Sequence, residues 1–215
     1  MENIIQVDYL SKSFGKATVL NNINVSFSKG QIHGIVGRNG SGKTLLMKCI
    51  CGFLKPTEGT VTVSGKVVGK GVEIPEDIGV IIETPGFVTN YSGYKNLKLL
   101  SSVRGRISRE DIEKAMELVN LDPKSRKHVG KYSLGMRQRL GIAQAIMENQ
   151  QLLILDEPMN ALDKDAVEEM RKLFLSFKAS GKTMLIVSHN EGDISTLCDE
   201  VYEFDGARIK RRENV

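Results

Sequence analysis

The sequence predicts an α/β protein built on a parallel sheet of buried strands, with a mostly helical insert between two parts of that sheet. Three observations predict it. Two uninterrupted apolar runs, "QLLILDEP" and "TMLIVSH", have the length of strands and are apolar on both faces, as strands of a parallel sheet covered on both sides are. A third, "QIHGIVG", runs directly into a glycine-rich loop and then into "KTLLMKCICGFL", which has helical spacing. Between that unit and the two later runs, the chain from about 84 to 150 reads as helical, which gives the order strand, loop, helix, insert, then two more strand and helix units.

Taken in order, the first thirty residues read as β. "IIQVDYL" alternates, and "VLNNINVSFSKG" puts Ile23, Val25 and Phe27 on one face ahead of a Lys-Gly turn. After the turn "KPTEG", short strands are expected from Thr60 to Val68, followed by a strand in "EDIGVII" that ends at Glu83. In the insert, "SREDIEKAMELVNL" is the clearest helix. Ser108 and Asp111 form an N-terminal capping pair, and Ile112, Ala115, Met116 and Val119 mark one buried stripe. Further on, Ser133 and Gly135 stand at the start of a long amphipathic helix, whose first N–H groups and dipole make an anion site. "KDAVEEMRKLFLSFKASG" is a helix closed by Gly181. The sequence contains no internal repeat, linker or low-complexity segment.

With 215 residues, the chain can bury a full core as one large domain or as a domain with an inserted lobe. Thirty Lys and Arg against 26 Asp and Glu give a net charge of +4, too mild to argue for nucleic acid. Basic charge clusters only in the tail "ARIKRREN", Ala207 to Asn214; a solvated terminus is one reading and contact with anionic lipid or RNA the other. Cys49, Cys51 and Cys198 are an odd number without disulfide or metal spacing, which suits a reducing compartment. Cys49 and Cys51, two apart on a helix, point to different faces and read as small buried apolar residues. No stretch approaches the ~18 apolar residues of a membrane span, and no basic region precedes a long apolar run at the N-terminus. The chain is expected in the cytoplasm, with any membrane role borrowed from a partner.

The chemistry lies in "GRNGSGKT", Gly37 to Thr44, which matches the phosphate-loop pattern G-x-x-x-x-G-K-[ST] in the right setting between a strand and a helix. Glycines let backbone N–H groups wrap a polyphosphate, Lys43 brings a point charge to the β and γ phosphates, and the Thr44 hydroxyl ligates Mg²⁺. The candidate nucleotide contacts are Gly37, Asn39, Gly40, Ser41, Gly42, Lys43, Thr44 and Leu45. "LLILDEP" then delivers two acids to a strand's C-terminal end, where open α/β sheets bind ligands. Asp156 is expected in the Mg²⁺ shell, and Glu157 is free to act on the attacking water. His189, at the end of "TMLIVSH", reads either as an ordinary surface or core histidine or as a group that bonds the γ-phosphate and holds Glu157 or the water in line.

These motifs, with the signature "YSLGM", "NALD" and "SH", in this order and spacing, resemble the nucleotide-binding subunit of an ATP-binding cassette (ABC) transporter over nearly all of Ile5 to Arg208. The resemblance implies a P-loop NTPase core of the ABC ATPase type, with an N-terminal antiparallel β subdomain and an inserted α-helical subdomain at about 84–150, all within a single nucleotide-binding domain of 1–215. It implies ATP and Mg²⁺ as ligands, and ATP hydrolysis by Glu157 with His189 and Lys43. It also implies that Ser133 and Gly135 face the γ-phosphate of a neighbour's ATP, so that each nucleotide lies between two chains. Asp163 is similar to an aspartate that crosses the dimer interface, although it also suits the cap of the next helix. Phe14 falls at the aromatic position that stacks on adenine, against the alternative of a core residue. The partners implied are a second nucleotide-binding subunit, identical or a paralogue, and an integral membrane permease on whose inner face the chain sits; no nucleic acid is expected.

Two departures narrow the resemblance. Leu134 and Met136 replace a glycine and a glutamine of the usual signature, and Glu83 replaces the Gln that usually ends the preceding strand. Both resemble the branch of exporters and immunity transporters that act on bacitracin, lantibiotics and related antimicrobial peptides. Glu83 can help ligate the metal, yet it repels phosphate, unlike a neutral amide. Phe87, Tyr91 and Tyr94 fall where the family receives a cytoplasmic helix of the permease, or else fill the helical lobe's own core. Two rival readings remain: a soluble ABC ATPase acting on nucleic acid or ribosomes, which usually carries a long coiled insertion or two cassettes in one chain, and a nucleotide-binding regulatory subunit without turnover.

Overall fold

The computed structural model describes residues 2–83 and 85–212 of the chain. The alternation at the N-terminus folds as two long antiparallel strands, β1 (Asn3–Phe14) and β2 (Ala17–Ser28), joined through Gly15 and Lys16. Ile23, Val25 and Phe27 are buried together. The stretch expected as strands from Thr60 to Val68 turns at Ser64 and Gly65 into β4 (Glu58–Val63) and β5 (Lys66–Val67). These complete an antiparallel sheet in the order β2-β1-β4-β5.

The larger sheet has the order β10-β9-β3-β8-β7-β6, formed by β3 (Ile32–Gly37), β6 (Ile78–Ile81), β7 (Leu152–Asp156), β8 (Thr183–Val187), β9 (Glu200–Asp205) and β10 (Arg208–Arg211). Its pairings are parallel except that of β10 with β9. Side chains alternate across a strand, so β7 feeds two cores. Leu153 and Leu155 join Met170 and Phe174 of α5 (Lys164–Ala179) and the helical insert. Leu152 and Ile154 join Leu46, Met47 and Ile50 of α1 (Lys43–Ile50) and the antiparallel sheet. Both faces are therefore covered, which is why the runs read from the sequence are uninterrupted.

Between β6 and β7 lie α2 (Gly93–Arg104), α3 (Arg109–Leu118) and α4 (Leu134–Ile146). The capping pair is present in both directions: Asp111 N–H donates to Ser108 Oγ at 3.2 Å and Ser108 N–H to Asp111 Oδ2 at 2.8 Å. Ile112, Ala115, Met116 and Val119 are buried. α4 lies against β6 at Gly79, where a Cβ would stand 1.9 Å from the Ala145 carbonyl oxygen, so only glycine permits that approach. Gly181, at φ 87°, closes α5 by donating its N–H to Lys178 O at 2.8 Å.

Two boundaries differ from the sequence reading. The strand expected to reach Glu83 stops at Ile81, because Glu83 takes the left-handed φ of 61°. Thr84, where the helical texture is read to begin, lies outside the described residues, and 85–92 is not helical. Pro85 and Gly86 disfavour helix there. Buried Asn96 holds the segment instead: Val88 N–H donates to its Oδ1 at 2.8 Å, and its Nδ2 donates to Val88 O and Ser92 O at 3.1 and 3.0 Å. Of the basic tail, Glu213 and Asn214 lie outside the described residues. Among the described residues, no helix is long and apolar enough to cross a membrane.

Candidate functional site

The loop from Gly37 to Lys43 joins β3 to α1 at the C-terminal edge of the parallel sheet, the edge at which such sheets bind ligands. Gly37, Gly40 and Gly42 have φ of 142°, 76° and 108°, values that a side chain rarely tolerates. Lys43 is buried, and its ammonium donates to Gly37 O at 2.7 Å and Arg38 O at 2.9 Å, which lays its charge over the loop. Burial lowers its pKa, opposed by Glu157 and then Asp156.

Asp156 ends β7, where its Oδ2 accepts a hydrogen bond from Thr44 Oγ1 at 2.8 Å. Glu157 leaves the strand at φ 49°, its N–H donating to Val187 O at 3.0 Å. Its Oε1 lies 3.2 Å from His189 Nε2 and is buried without a hydrogen-bond partner. Burial pushes the Glu157 carboxyl above its ordinary pKa, with His189 acting against the shift. The His189 ring is about half exposed.

Asn39, Gly40, Gly42, Lys43, Thr44, Leu45, Asp156, Glu157 and His189 line one cavity of about 490 Å³, together with Glu83, Leu134, Gln138, Asn160, Ala161 and Val187. That is the volume range of small-molecule sites. The Thr44–Asp156 pair is a set of hard oxygen donors, and the Ser41 hydroxyl and Glu157 Oε1 are buried without a hydrogen-bond partner, so the chemistry suits a phosphate with an oxygen-seeking cation such as Mg²⁺. Among the described residues, no group of three or more His, Cys, Asp or Glu could hold a metal on its own, so such a cation would need phosphate or water oxygens as well.

Of the other sequence candidates, Gly37 and Ser41 belong to the loop without lining this cavity, Glu83 reaches its rim, and Phe14, Ser133, Gly135 and Asp163 stand apart from it. Phe14 is half exposed at the end of β1, with the Lys12 ammonium 5.1 Å from its ring centre, and is not a core residue. Ser133 is exposed and caps α4, accepting from Met136 N–H at 3.2 Å. Gly135 packs on the Ala161 carbonyl, which a Cβ would approach to 3.0 Å. Asp163 is exposed and caps α5, accepting from Ala166 N–H at 2.9 Å. Glu83 reaches the cavity rim with its carboxylate paired to Lys48 Nζ at 2.6 Å. Phe87 and Tyr94 pack on the insert's core, whereas Tyr91 is exposed.

Sequence reasoning missed Lys48 and Gln138. Lys48 follows Thr44 by four residues on α1, and helical spacing alone would have placed it on the crevice side. Gln138 Nε2 donates to Glu157 O at 3.0 Å and Pro158 O at 2.9 Å, tying α4 to the turn that carries the acids. Its only signal was its position one turn after Leu134.

Fold and site together define a nucleotide-binding ATPase core of the phosphate-loop class. The model of the ABC transporter family matches residues 20–160, and the chain belongs to that family, as an ATP-binding and ATP-hydrolysing subunit. It is 41% identical to the uncharacterized ABC transporter ATP-binding protein YybJ of Bacillus subtilis (strain 168), over 99% of this chain and 97% of that one. It is 45% identical to the bacitracin transport ATP-binding protein BcrA of Enterococcus faecalis, over 100% of this chain and 70% of that one. With the lantibiotic transport ATP-binding protein SrtF of Streptococcus pyogenes it shares 36% identity over 98% and 91% of the two chains. Among solved structures, an ATP-binding cassette of an ABC transporter in its ADP conformation superposes with a TM-score of 0.82 at 25% identity, covering 99% of this chain and 92% of that one. A dimeric bacterial ABC transporter cassette superposes with a TM-score of 0.85 at 21% identity, covering 98% and 100%, and at that identity it bears on the fold alone.

Proposed function

We propose that this chain hydrolyses ATP at a site shared between two cassettes and so drives a separate membrane permease that exports, or gives resistance to, peptide antibiotics. The observation that carries the hydrolytic part is Glu157: a carboxylate oxygen, buried, without a hydrogen-bond partner and 3.2 Å from His189 Nε2, in the same cavity as the phosphate loop and the Thr44–Asp156 pair. In this reading the N–H groups from Gly37 to Leu45 and the Lys43 ammonium hold the phosphates. Thr44 and Asp156 would hold Mg²⁺, which when bound neutralises phosphate charge. Glu157 takes the proton of the attacking water or polarises it, and His189 keeps Glu157 or the water in line.

The exposed positions are assigned to partners. Phe14 offers a free ring face to adenine, and its exposure supports this over a core role. Ser133 and Gly135 do not line their own chain's cavity, which supports contact with the γ-phosphate of a second copy. Asp163 caps α5 and also crosses the seam. Glu83, held by Lys48, senses the metal; if Glu83→Gln left both Mg²⁺ dependence and coupled ATPase unchanged, that role would be gone. The peptide-antibiotic substrate class rests on the relatives named above and on the departures at Glu83, Leu134 and Met136, which resemble that branch of the family. Steady-state turnover of the purified chain against Glu157→Gln tests hydrolysis: the substitution lowers kcat by about 10²- to 10⁴-fold. Equal rates would leave a binding subunit without turnover.

A further inference from the structure

His189 is half exposed, yet the two residues beside it are tightly held. Ser188 Oγ donates to Asp193 Oδ2 at 3.1 Å and accepts from Asn190 N–H at 3.1 Å. The other oxygen, Asp193 Oδ1, accepts from Arg171 Nε at 3.0 Å and Nη2 at 2.6 Å. Asp193 and Ser188 are 4% and 3% exposed. Asp193 lies in the first turn of α6 (Glu191–Leu197) and Arg171 in α5, so the pair bridges the two helices. The guanidinium lies close against α6, since a Cβ on Gly192 would stand 3.1 Å from Arg171 Nη2. Ser188 and Asp193 also line one recess with Glu157, Asn160, Leu162 and His189.

We propose that Arg171 and Asp193 are positioning residues for His189. Asp193 uses both oxygens, one towards Arg171 and one towards Ser188, so the turn 188–190 cannot shift unless a buried carboxylate loses a partner. A buried ion pair is weak evidence for stability, because desolvation offsets most of its attraction. Fixing geometry is the use left to it, and a displacement of about 1 Å at a reacting centre can cost about 10²-fold in rate. The same α5 starts at Asp163, so a shift at the proposed subunit seam reaches the histidine turn through this strut. The inference rests on the role given to His189 above.

The test measures steady-state turnover and MgATP binding in the full chain for Asp193→Asn, Arg171→Met and Arg171→Lys, each alone and combined with His189→Ala. Asp193→Asn and Arg171→Met should each lower kcat by between about tenfold and a hundredfold with MgATP affinity unchanged. Arg171→Lys, which keeps the cation, should recover part of that loss. On the His189→Ala background none of the three should lower kcat further. Wild-type turnover in folded Asp193→Asn, or full losses repeated on the His189→Ala background, would overturn the proposal. Should Asp193→Asn not fold, Ser188→Ala breaks the same chain without stranding a charge, and unchanged kcat there is equally fatal. Wild-type turnover in His189→Ala would instead remove the role of His189 and the strut with it.

Discussion

Gly42→Ala and Gly40→Ala separate what the phosphate loop needs from what it tolerates. Gly42 sits at φ 108° and ψ 0°, away from the left-handed well near +57°, +47°, and forcing a side chain there costs about 1–3 kcal/mol. Its Cβ would also stand 2.7 Å from Leu20 Cδ2, a fully buried side chain with little room to retreat. Overpacking of that kind adds about 1 kcal/mol or more. A combined cost of about 3 kcal/mol lowers the Tm of a chain of this size by about 6–12 °C. Gly40 has φ 76° and nothing within 4 Å of its would-be Cβ, so Gly40→Ala costs only about 1 kcal/mol, or about 2–4 °C. On the proposed phosphate contact, re-aiming the residue 42 N–H would remove a hydrogen bond to a charged group, worth about 1.5–3 kcal/mol, so nucleotide affinity should fall about ten- to a hundredfold. Thermal melts and nucleotide titrations of both variants decide it. Equal melting points for the two, or wild-type affinity in Gly42→Ala, would refute the reasoning.

Three further outcomes follow from the same structure. Burial raises the Glu157 pKa in the fold, so its contribution to stability is complete below the unfolded pKa and is lost as pH rises through the folded one. Glu157→Gln should therefore melt above the parent at neutral pH, with the gap closing in mild acid; a gap that widens in acid contradicts this. Gly79→Ala drives a Cβ to 1.9 Å from the Ala145 carbonyl and should cost about 3 kcal/mol or more by forcing α4 off β6, read as a lower urea midpoint. Burial pushes the Cys49 thiol up to about 11 and those of Cys51 and Cys198 up to about 12. All three should resist a thiolate-directed reagent in the native protein at neutral pH and react on unfolding; rapid native labelling would count against their burial.

What the sequence disclosed, it disclosed through local rules. The phosphate loop is a short contiguous string, so its glycines and Lys43 could be named before any fold was known. The Ser108–Asp111 box and the stripe from Ile112 to Val119 depend only on helical spacing. The buried runs of β7 and β8 declared a two-sided sheet because no polar residue interrupts them. Features that need two distant segments stayed hidden. Gly79 reads as an unremarked strand glycine until α4 is laid across it. Asn96 looks like any polar helix residue, yet it organises 85–92 and so limits the helical insert. Arg171, Asp193 and Lys48 are ordinary charges in sequence, and only the meeting of α5 with α6, or of α1 with the segment after β6, gives them partners. The left-handed Glu83 was likewise unreadable, since nothing local asks a glutamate for positive φ.

The central claim is that the nucleotide is clasped between two cassettes, and the mass of Glu157→Gln in solution tests it most directly. With hydrolysis blocked, light scattering should report a monomer with MgADP and a dimer with saturating MgATP. A Glu157→Gln protein that binds MgATP and stays monomeric, with or without its permease, would contradict the account.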